Sequence, residues 1–533
     1  MNLIDHAWLP FRHRNGERIY APPTAVTAPE LIDVAFPRAD LNGAGWQFLI
    51  GLLQTTLGPA NRKEWLRLWQ GPPSRVELEE LFAPWRRAFP LLGEGPRFLQ
   101  DRDPLDAART APIASLLIEA PGDQGIKLNT DHFVKRGVGE TMCPSCAAIA
   151  LFSFQTTGPA GGTGYRVGIR GGGPLSTLVL PRDPTTPIWN KLLLNILTRD
   201  NGDFRYPDPD PNDWRVFPWL GMTRTSEKGS STLVTTPDDV HPLHVYWAMP
   251  NRIRLGESAG SGTCQVCGHG TDDILQHLQI TNLGYNYDGP FRHPLTPYRF
   301  DPKNPDQPPF SIKGQQGGLG YRHWEPLTLE DRGQGQLPAL VVQDYLKTKR
   351  RTLHQSKQPR LWVFGYDLKQ NKPRGWYSTE MPLVAVPPEH TDLFLDWVRK
   401  LDQAGDKAAR RTQDAVKSAW FSRPRDAKGD FDFIRHRFWE STTGEFYSCL
   451  AGLAEAVEAG RTNVPPELAR RWVNAVSRAA NDVFESLALA GDEEAMDLKR
   501  VITARNGLRS WLSGGKEVKT LRQLAEAEQE ATT

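Results

Sequence analysis

The sequence predicts an α+β protein: a large mixed α/β N-terminal domain over residues 1–386, followed by a C-terminal four-helix bundle over 387–533. Three observations predict it. Two Cys-x-x-Cys pairs, Cys143/Cys146 and Cys264/Cys267, lie more than a hundred residues apart inside a stretch of mixed helix, strand and turn signals. Pro387-Pro388 marks a shift in composition. Beyond it, four segments carry apolar residues at helical spacing with short breaks between them, the pattern of an antiparallel bundle.

Taken in order, WQFLIGLLQTTL (46–57) and VELEELFAPWRRAF (76–89) read as helices, stopped by Gly58-Pro59 and, before the second, by Gly71-Pro72-Pro73. LNTDHFVKRGVGE (128–140) reads as a loop, CAAIALF as a short apolar helix, and IWNKLLLNIL (188–197) as another helix. Residues 199–243 are rich in Pro, Asp, Ser and Gly and read as a long irregular connection. HVYWAMPNRIRL (244–255) alternates like a strand. The region 281–337 is turn-rich, and LPALVVQDYL is an apolar run ending in the basic Lys347–Arg351. Two apolar arms around KQNKPRG, within 361–384, predict a β-hairpin. The bundle segments are about 389–422, 432–459, 466–489 and 492–513, closed by Gly514-Gly515, with Leu393, Phe394, Trp397, Val398 and Leu401 on one face of the first.

The 533 residues are long enough for two domains with cores of their own. Lys plus Arg (64) nearly equals Asp plus Glu (62), so no global field attracts a nucleic acid and any such binding rests on local patches. The opening MNLIDHAWLPFRHRNG lacks a charged-then-apolar leader, and no window of eighteen residues is uninterruptedly apolar. A cytoplasmic protein without membrane contact is the expectation. Five cysteines in such a chain make no disulfide framework. Cys449 falls in a helical pattern and reads as a small buried apolar group.

Two Cys-x-x-Cys pairs supply the four thiolates of a tetrahedral Zn2+ site, each pair giving two ligands from one tight turn. With all positions filled by sulfur, such a zinc is structural. A redox pair at Cys143-Pro-Ser-Cys146, which precedes a helix, and unlinked thiols are the competing readings. The second pair, followed by Gly268, favours metal.

Between the pairs, glycines at 158, 161, 162, 164, 168, 171, 172 and 173 leave backbone almost without side-chain cover, open to close approach by a ligand. A flexible surface loop is the plain alternative. The dinucleotide fingerprint fails because Val167 stands where the third glycine belongs, and no Gly-Lys-Ser/Thr ends a phosphate loop. Gly256-Glu257-Ser258-Ala259-Gly260 matches the G-x-S-x-G of serine hydrolases, but the Ser-Gly-Thr and cysteines that follow stand where that motif needs a helix. Lys347–Arg351, with His354, Lys357 and Arg360, reads either as a phosphate-tracking patch or as a solvated surface. The centre Lys369-Gln370-Asn371-Lys372 reads either as a charged turn or as a probe.

The opening MNLIDHAWLPFRHRNG, the loop HFVKRG, CPSCAAIALF, the glycine stretch ending GIRGGGP, CQVCG, GYDLKQN and the helical C-terminus together resemble the large subunit of the type I-E CRISPR Cascade complex, the CasA family, over nearly the whole chain. The resemblance implies a non-enzymatic subunit of an RNA-guided antiviral complex that inspects double-stranded DNA for a protospacer-adjacent motif, chiefly from the minor groove. It implies that Gly158, Ala160, Gly161, Gly162, Thr163 and Gly164 lie against base-pair edges. Asn282 stands where the family has an assisting lysine. Gln370, followed by Asn371, matches the family's wedge. Phe133, Val134 and Lys135 match the loop that seats the subunit on the guide RNA's 5′ handle and on neighbouring subunits. The bundle would hold opened DNA, and the subunit would help recruit a separate helicase-nuclease.

Overall fold

The computed structural model describes residues 1–120, 127, 137–353, 359–489 and 497–526. The chain divides into two compact units. One comprises Met1–Gln316 and Pro326–Ser378; the other comprises Gly317–Glu325 and Thr379–Thr533.

The first unit is built around the helix Ala39–Thr56, in which every residue from Asp40 to Thr55 except Asn42 is buried. A helix buried all round has no solvent face, so other elements must enclose it. It packs on the helix Pro144–Thr157, and Phe48 stands among Trp8, Phe89, Phe98, Phe152 and Trp247 with ring centroids 5.2–6.3 Å apart. Edge-to-face packing of these rings fixes the core in one arrangement. Small antiparallel sheets surround it: Arg18–Ala21, Leu9–His13 and Leu31–Val34 in that order, and Arg109–Pro112, His277–Thr281 and Arg252–Leu255 in that order. In a third sheet, Arg360–Lys369 lies between Ser176–Leu180 and Lys372–Pro382. Trp362 faces Leu178 in the register and its ring meets Trp46 of the central helix edge-on at 6.1 Å.

Several elements differ from the sequence reading. The strand expected over 244–255 shrinks to Arg252–Leu255, because the five residues Pro242–Tyr246 make a tight 3-10 turn that buries Leu243, Val245 and Tyr246. The connection 199–243 is irregular as expected, yet Phe217 and Trp219 within it are wholly buried against Phe89 and Phe98. The basic run lies only partly at the surface: Lys347 and Arg351 are exposed, but Lys349 is buried. Its backbone widens into a π turn over Tyr345–Lys349, and Lys349 points inward, donating to the carbonyls of Leu194 (3.0 Å) and Ile196 (2.8 Å) and pairing with Asp344 at 2.8 Å. His354 and Lys357 lie outside the described residues.

The second unit holds the helices Thr391–Trp420, Asp432–Glu458, Pro466–Ala488, Leu498–Gly514 and Lys516–Glu526. The region is helical as the spacing predicts, but it has five described helices rather than four. Gly514-Gly515 is a joint, not an end: Gly515 is extended, and the chain resumes as a helix at Lys516. The first helix packs against each of the other four. Its buried stripe contains Phe394, Trp397, Val398 and Leu401 as expected, with Leu395 in place of the half-buried Leu393. Cys449 is fully buried, and burial pushes its thiol up to about 12.

Candidate nucleic-acid interface and metal centre

The four cysteines come together. Their sulfurs all lie within 4.8 Å of one another, and Cys143 Sγ is 3.7 Å from Cys267 Sγ. A tetrahedral zinc with bonds of about 2.3 Å sets sulfurs roughly 3.8 Å apart, so the cluster has the size of that ion. The sequence builds it locally in two halves. Cys143 is the N-cap of the helix Pro144–Thr157, its sulfur accepting the Cys146 N–H at 3.5 Å, and Pro144 holds the first helical position. Cys264 and Cys267 sit in the turn between the strands Gly262–Thr263 and Gly270–Thr271, where the Gly268 N–H donates to the Cys264 carbonyl at 2.8 Å. The halves are stitched by Gln265 N–H to Thr141 O (2.9 Å) and Thr141 Oγ1 to Thr263 O (2.9 Å). Hydrogen bonds from Cys143 and Cys146 push the Cys264 thiol down to about 6. Hydrogen bonding with Cys143, Cys264 and Cys267, together with burial, pushes Cys146 far up. Four thiolates at this spacing repel one another unless a cation joins them, which is the chemistry of a thiolate metal site.

The cysteine helix ends at Gly158, and the glycine loop follows. Gly158 is buried, and a Cβ on it would collide with the Phe154 carbonyl. It closes the helix at a point with no room for a side chain. Ala160 is half-buried, while Gly161, Gly162 and Thr163 are exposed. Gly162 has φ +125° and nothing within 4 Å of a Cβ position, so its backbone is bare. Tyr165 supports the loop from below, its N–H donating to Gly162 O at 3.1 Å.

Asn282 meets this loop. Its Nδ2 donates to Thr163 O at 3.3 Å, and the Leu283 N–H donates to Gly164 O at 2.8 Å. The far end of the loop packs on the hairpin: Gly173 has φ +64°, and a Cβ there would lie 2.8 Å from Leu368 and 3.0 Å from Tyr366 O. Two residues beyond Leu368 the strand turns through Gln370 (φ 50°) and Asn371 (φ 63°). Left-handed conformations at both central residues make the two-residue turn that suits a twisted hairpin. Lys369, Gln370, Asn371 and Lys372 are all exposed. Lys313 was not foreseen. It is exposed, pairs through its backbone with Pro174, and brings Nζ to 3.2 Å from the Cβ position of Gly171. A single lysine in a turn-rich stretch leaves no periodic signal to find it by. Phe133, Val134 and Lys135 lie outside the described residues.

Ser258 has no elbow. Its Oγ accepts the Gly260 N–H at 3.2 Å, and the strand Gly262–Thr263 follows where a helix is required.

The family described as CRISPR-associated protein Cse1 matches residues 2–483. The chain belongs to the Cse1 family. Its fold is similar to that of Cse1 from Thermobifida fusca, with 17% identity, a TM-score of 0.71 and 98% of each chain covered. It is also similar to Thermus thermophilus CasA (Cse1), at 17% identity and a TM-score of 0.68 over 96% of this chain and 99% of that one. A chain of a CRISPR RNA-guided surveillance complex matches at 16% identity and a TM-score of 0.65, again over 96% and 99%. At such identities the likeness establishes the Cse1 fold alone. No described helix is long and apolar enough to cross a membrane.

Proposed function

We propose that this Cse1-family chain is the DNA-inspecting subunit of a type I-E CRISPR Cascade complex and has no chemistry of its own. One observation carries the reading: the bare exposed backbone of Gly161–Thr163 and the exposed tip at Gln370-Asn371 project from one mount, joined where Gly172 and Gly173 pack on Leu368. The first can enter a minor groove without side chains in the way. The second can part the duplex beside it. The minor groove offers a degenerate set of donors and acceptors, so a backbone loop reads it loosely, which suits a scanner that tolerates several protospacer-adjacent motifs. Parting base pairs costs a few kcal/mol of unstacking per step, offset by pairing of the opened strand with the guide RNA. The zinc is structural and fixes the loop's mount. Phe133, Val134 and Lys135 would seat the chain on the guide's 5′ handle and the other Cascade subunits. The C-terminal helices would hold opened DNA, and the assembly would recruit the helicase-nuclease in the cytoplasm.

The test is co-purification of the chain with CRISPR RNA and the other subunits, followed by target binding. Gly161→Val places a Cβ on the exposed backbone and should weaken binding to a motif-bearing duplex at least tenfold, with much less effect on a single-stranded target. Equal losses on both substrates, or failure to co-purify, would refute the reading.

A further inference from the structure

The start of the helix Asp432–Glu458 gathers cations whose donors find few acceptors. The strap Gly317–Glu325 lies against that helix within the second unit. Gly317 sits on His436, whose ring a Cβ there would strike, and Tyr321 stacks on Phe446 and accepts from Thr442 Oγ1 at 3.2 Å. The strap so fixed sets the Arg322 guanidinium 3.8 Å from the ring centroid of Trp439, and Arg435 lies 5.5 Å from the same ring. The His436 ring is 5.6 Å from it. Stacking on an indole holds a guanidinium by its face and leaves its N–H edge free. Arg322 is half-buried, and among the described residues it has no hydrogen-bond or ion-pair partner. Arg435 gives Nη2 to Asp432 Oδ1 at 2.5 Å, but its Nε is buried without an acceptor among the described residues, as is Trp439 Nε1. Asp406 and Asp432 attract Arg322 from a distance. Burial, then the like charge of Arg435, outweigh them and pull the guanidinium below its ordinary value. Burial, then Arg322, pull His436 down as well. The positive end of a 27-residue helix adds to the same field.

Buried donors without acceptors are costly, so a group that completes this cluster is negative and accepts from more than one side. A carboxylate presents two oxygens in one plane, which a single guanidinium fork saturates. A phosphate group presents its oxygens tetrahedrally and can accept from two arginines at once. We propose that Arg322 and Arg435, mounted on Trp439 at the start of this helix, form a binding site for a phosphate group, with His436 at its edge. The site uses no residue of the glycine loop or the hairpin and stands whether or not the chain inspects DNA. Free phosphate and the phosphodiester of a nucleic acid share the chemistry it recognises.

The experiment titrates inorganic phosphate into the full chain at neutral pH and low salt, followed by calorimetry and by melting temperature. Binding should saturate and raise the melting temperature, with acetate about tenfold weaker. Arg322→Gln should weaken phosphate about tenfold, the effect of losing hydrogen bonds from a charged donor, and should abolish the phosphate-dependent rise in melting temperature. Arg322→Lys keeps the charge without the fork and should fall between parent and glutamine variant, so it carries the test if the glutamine variant folds poorly. A dinucleotide without a terminal phosphate then separates the sources. Its competition with phosphate assigns the site to a nucleic-acid backbone; lack of competition assigns it to free phosphate or a terminal ester. Phosphate uptake that does not saturate, that acetate matches, or that both Arg322 variants leave unchanged would overturn the site while leaving DNA inspection standing.

Discussion

Asp402, in the helix Thr391–Trp420, has a buried Oδ1 without a hydrogen-bond partner among the described residues. Burial first, then the nearby Asp406 and Glu325, raise its carboxyl to about 7 against the opposing pull of Arg322. An acid whose pKa is raised in the folded state holds a proton that the unfolded chain has already released. Its stabilising effect is therefore fully present below about pH 4 and is lost as pH rises toward 7. Asp402→Asn keeps the neutral form at every pH. We expect the variant to melt several degrees above the parent at pH 8, with the difference vanishing near pH 4. Identical melting at pH 8 would mean that Asp402 is solvated and charged. The cysteines make a simpler case. One zinc should accompany each chain, and Cys264→Ser should release it and lower the melting temperature, read by elemental analysis and calorimetry on the same samples. A metal-free parent of unchanged stability would contradict a structural zinc. The cysteine quartet was legible from spacing alone, because each pair's ligands come from a single turn. Lys349 was not, since a run of charges carries no sign of which member finds carbonyls such as those of Leu194 and Ile196 inside.

At the scale of elements, alternation and helical spacing located the hairpin and the long C-terminal helices, because both follow from which side chains must be buried. What they missed turns on tertiary context. Gly158 reads as one more bare glycine, and only the packed end of the cysteine helix makes it buried. Gly514-Gly515 reads as a terminus, although the helix after it buries Val518 and Leu521. The hairpin tip carries the sharpest element-level prediction. Gln370 sits at φ 50°, which costs a residue with a Cβ roughly 1 kcal/mol. Gln370→Ala keeps that strain and removes the side chain, whereas Gln370→Gly removes both. A wedge acting through its side chain should open a fully paired target more slowly in both variants, by about 1 kcal/mol of barrier. A target already mismatched beside the motif should restore both. If glycine alone restores the rate on paired DNA, the turn's geometry matters and the side chain does not. R-loop formation rates on paired and bubbled duplexes decide between them.

For the whole molecule, the composition shift at Pro387-Pro388 suggests that the N-terminal part stands alone when cut there. The compact units complicate the cut, because Gly317–Glu325 belongs with Thr379–Thr533 and not with the sequence around it. No local pattern announces this: the nine residues hold only the 3-10 turn Tyr321–His323 and the first two residues of the short helix Trp324–Thr328. What places them is packing. The Tyr321 ring stacks on Phe446 at 4.3 Å and meets Trp472 edge-on at 5.9 Å, while the Trp324 indole donates to Pro382 O at 2.7 Å and its ring meets Phe394. Tyr321 and Trp324 are 2% and 0% exposed, so deleting the C-terminal unit uncovers two large aromatic faces on a strap the cut leaves behind. Exposed patches of that kind drive association. A fragment ending at Ser378 should therefore aggregate, and the same fragment with Tyr321→Ser and Trp324→Ser should be monomeric and hold one zinc. Sedimentation and metal content, measured on both fragments, check the pair. If the unsubstituted fragment is already monomeric, the strap has other cover. If the substituted one still aggregates, the first unit needs more of the second than this strap.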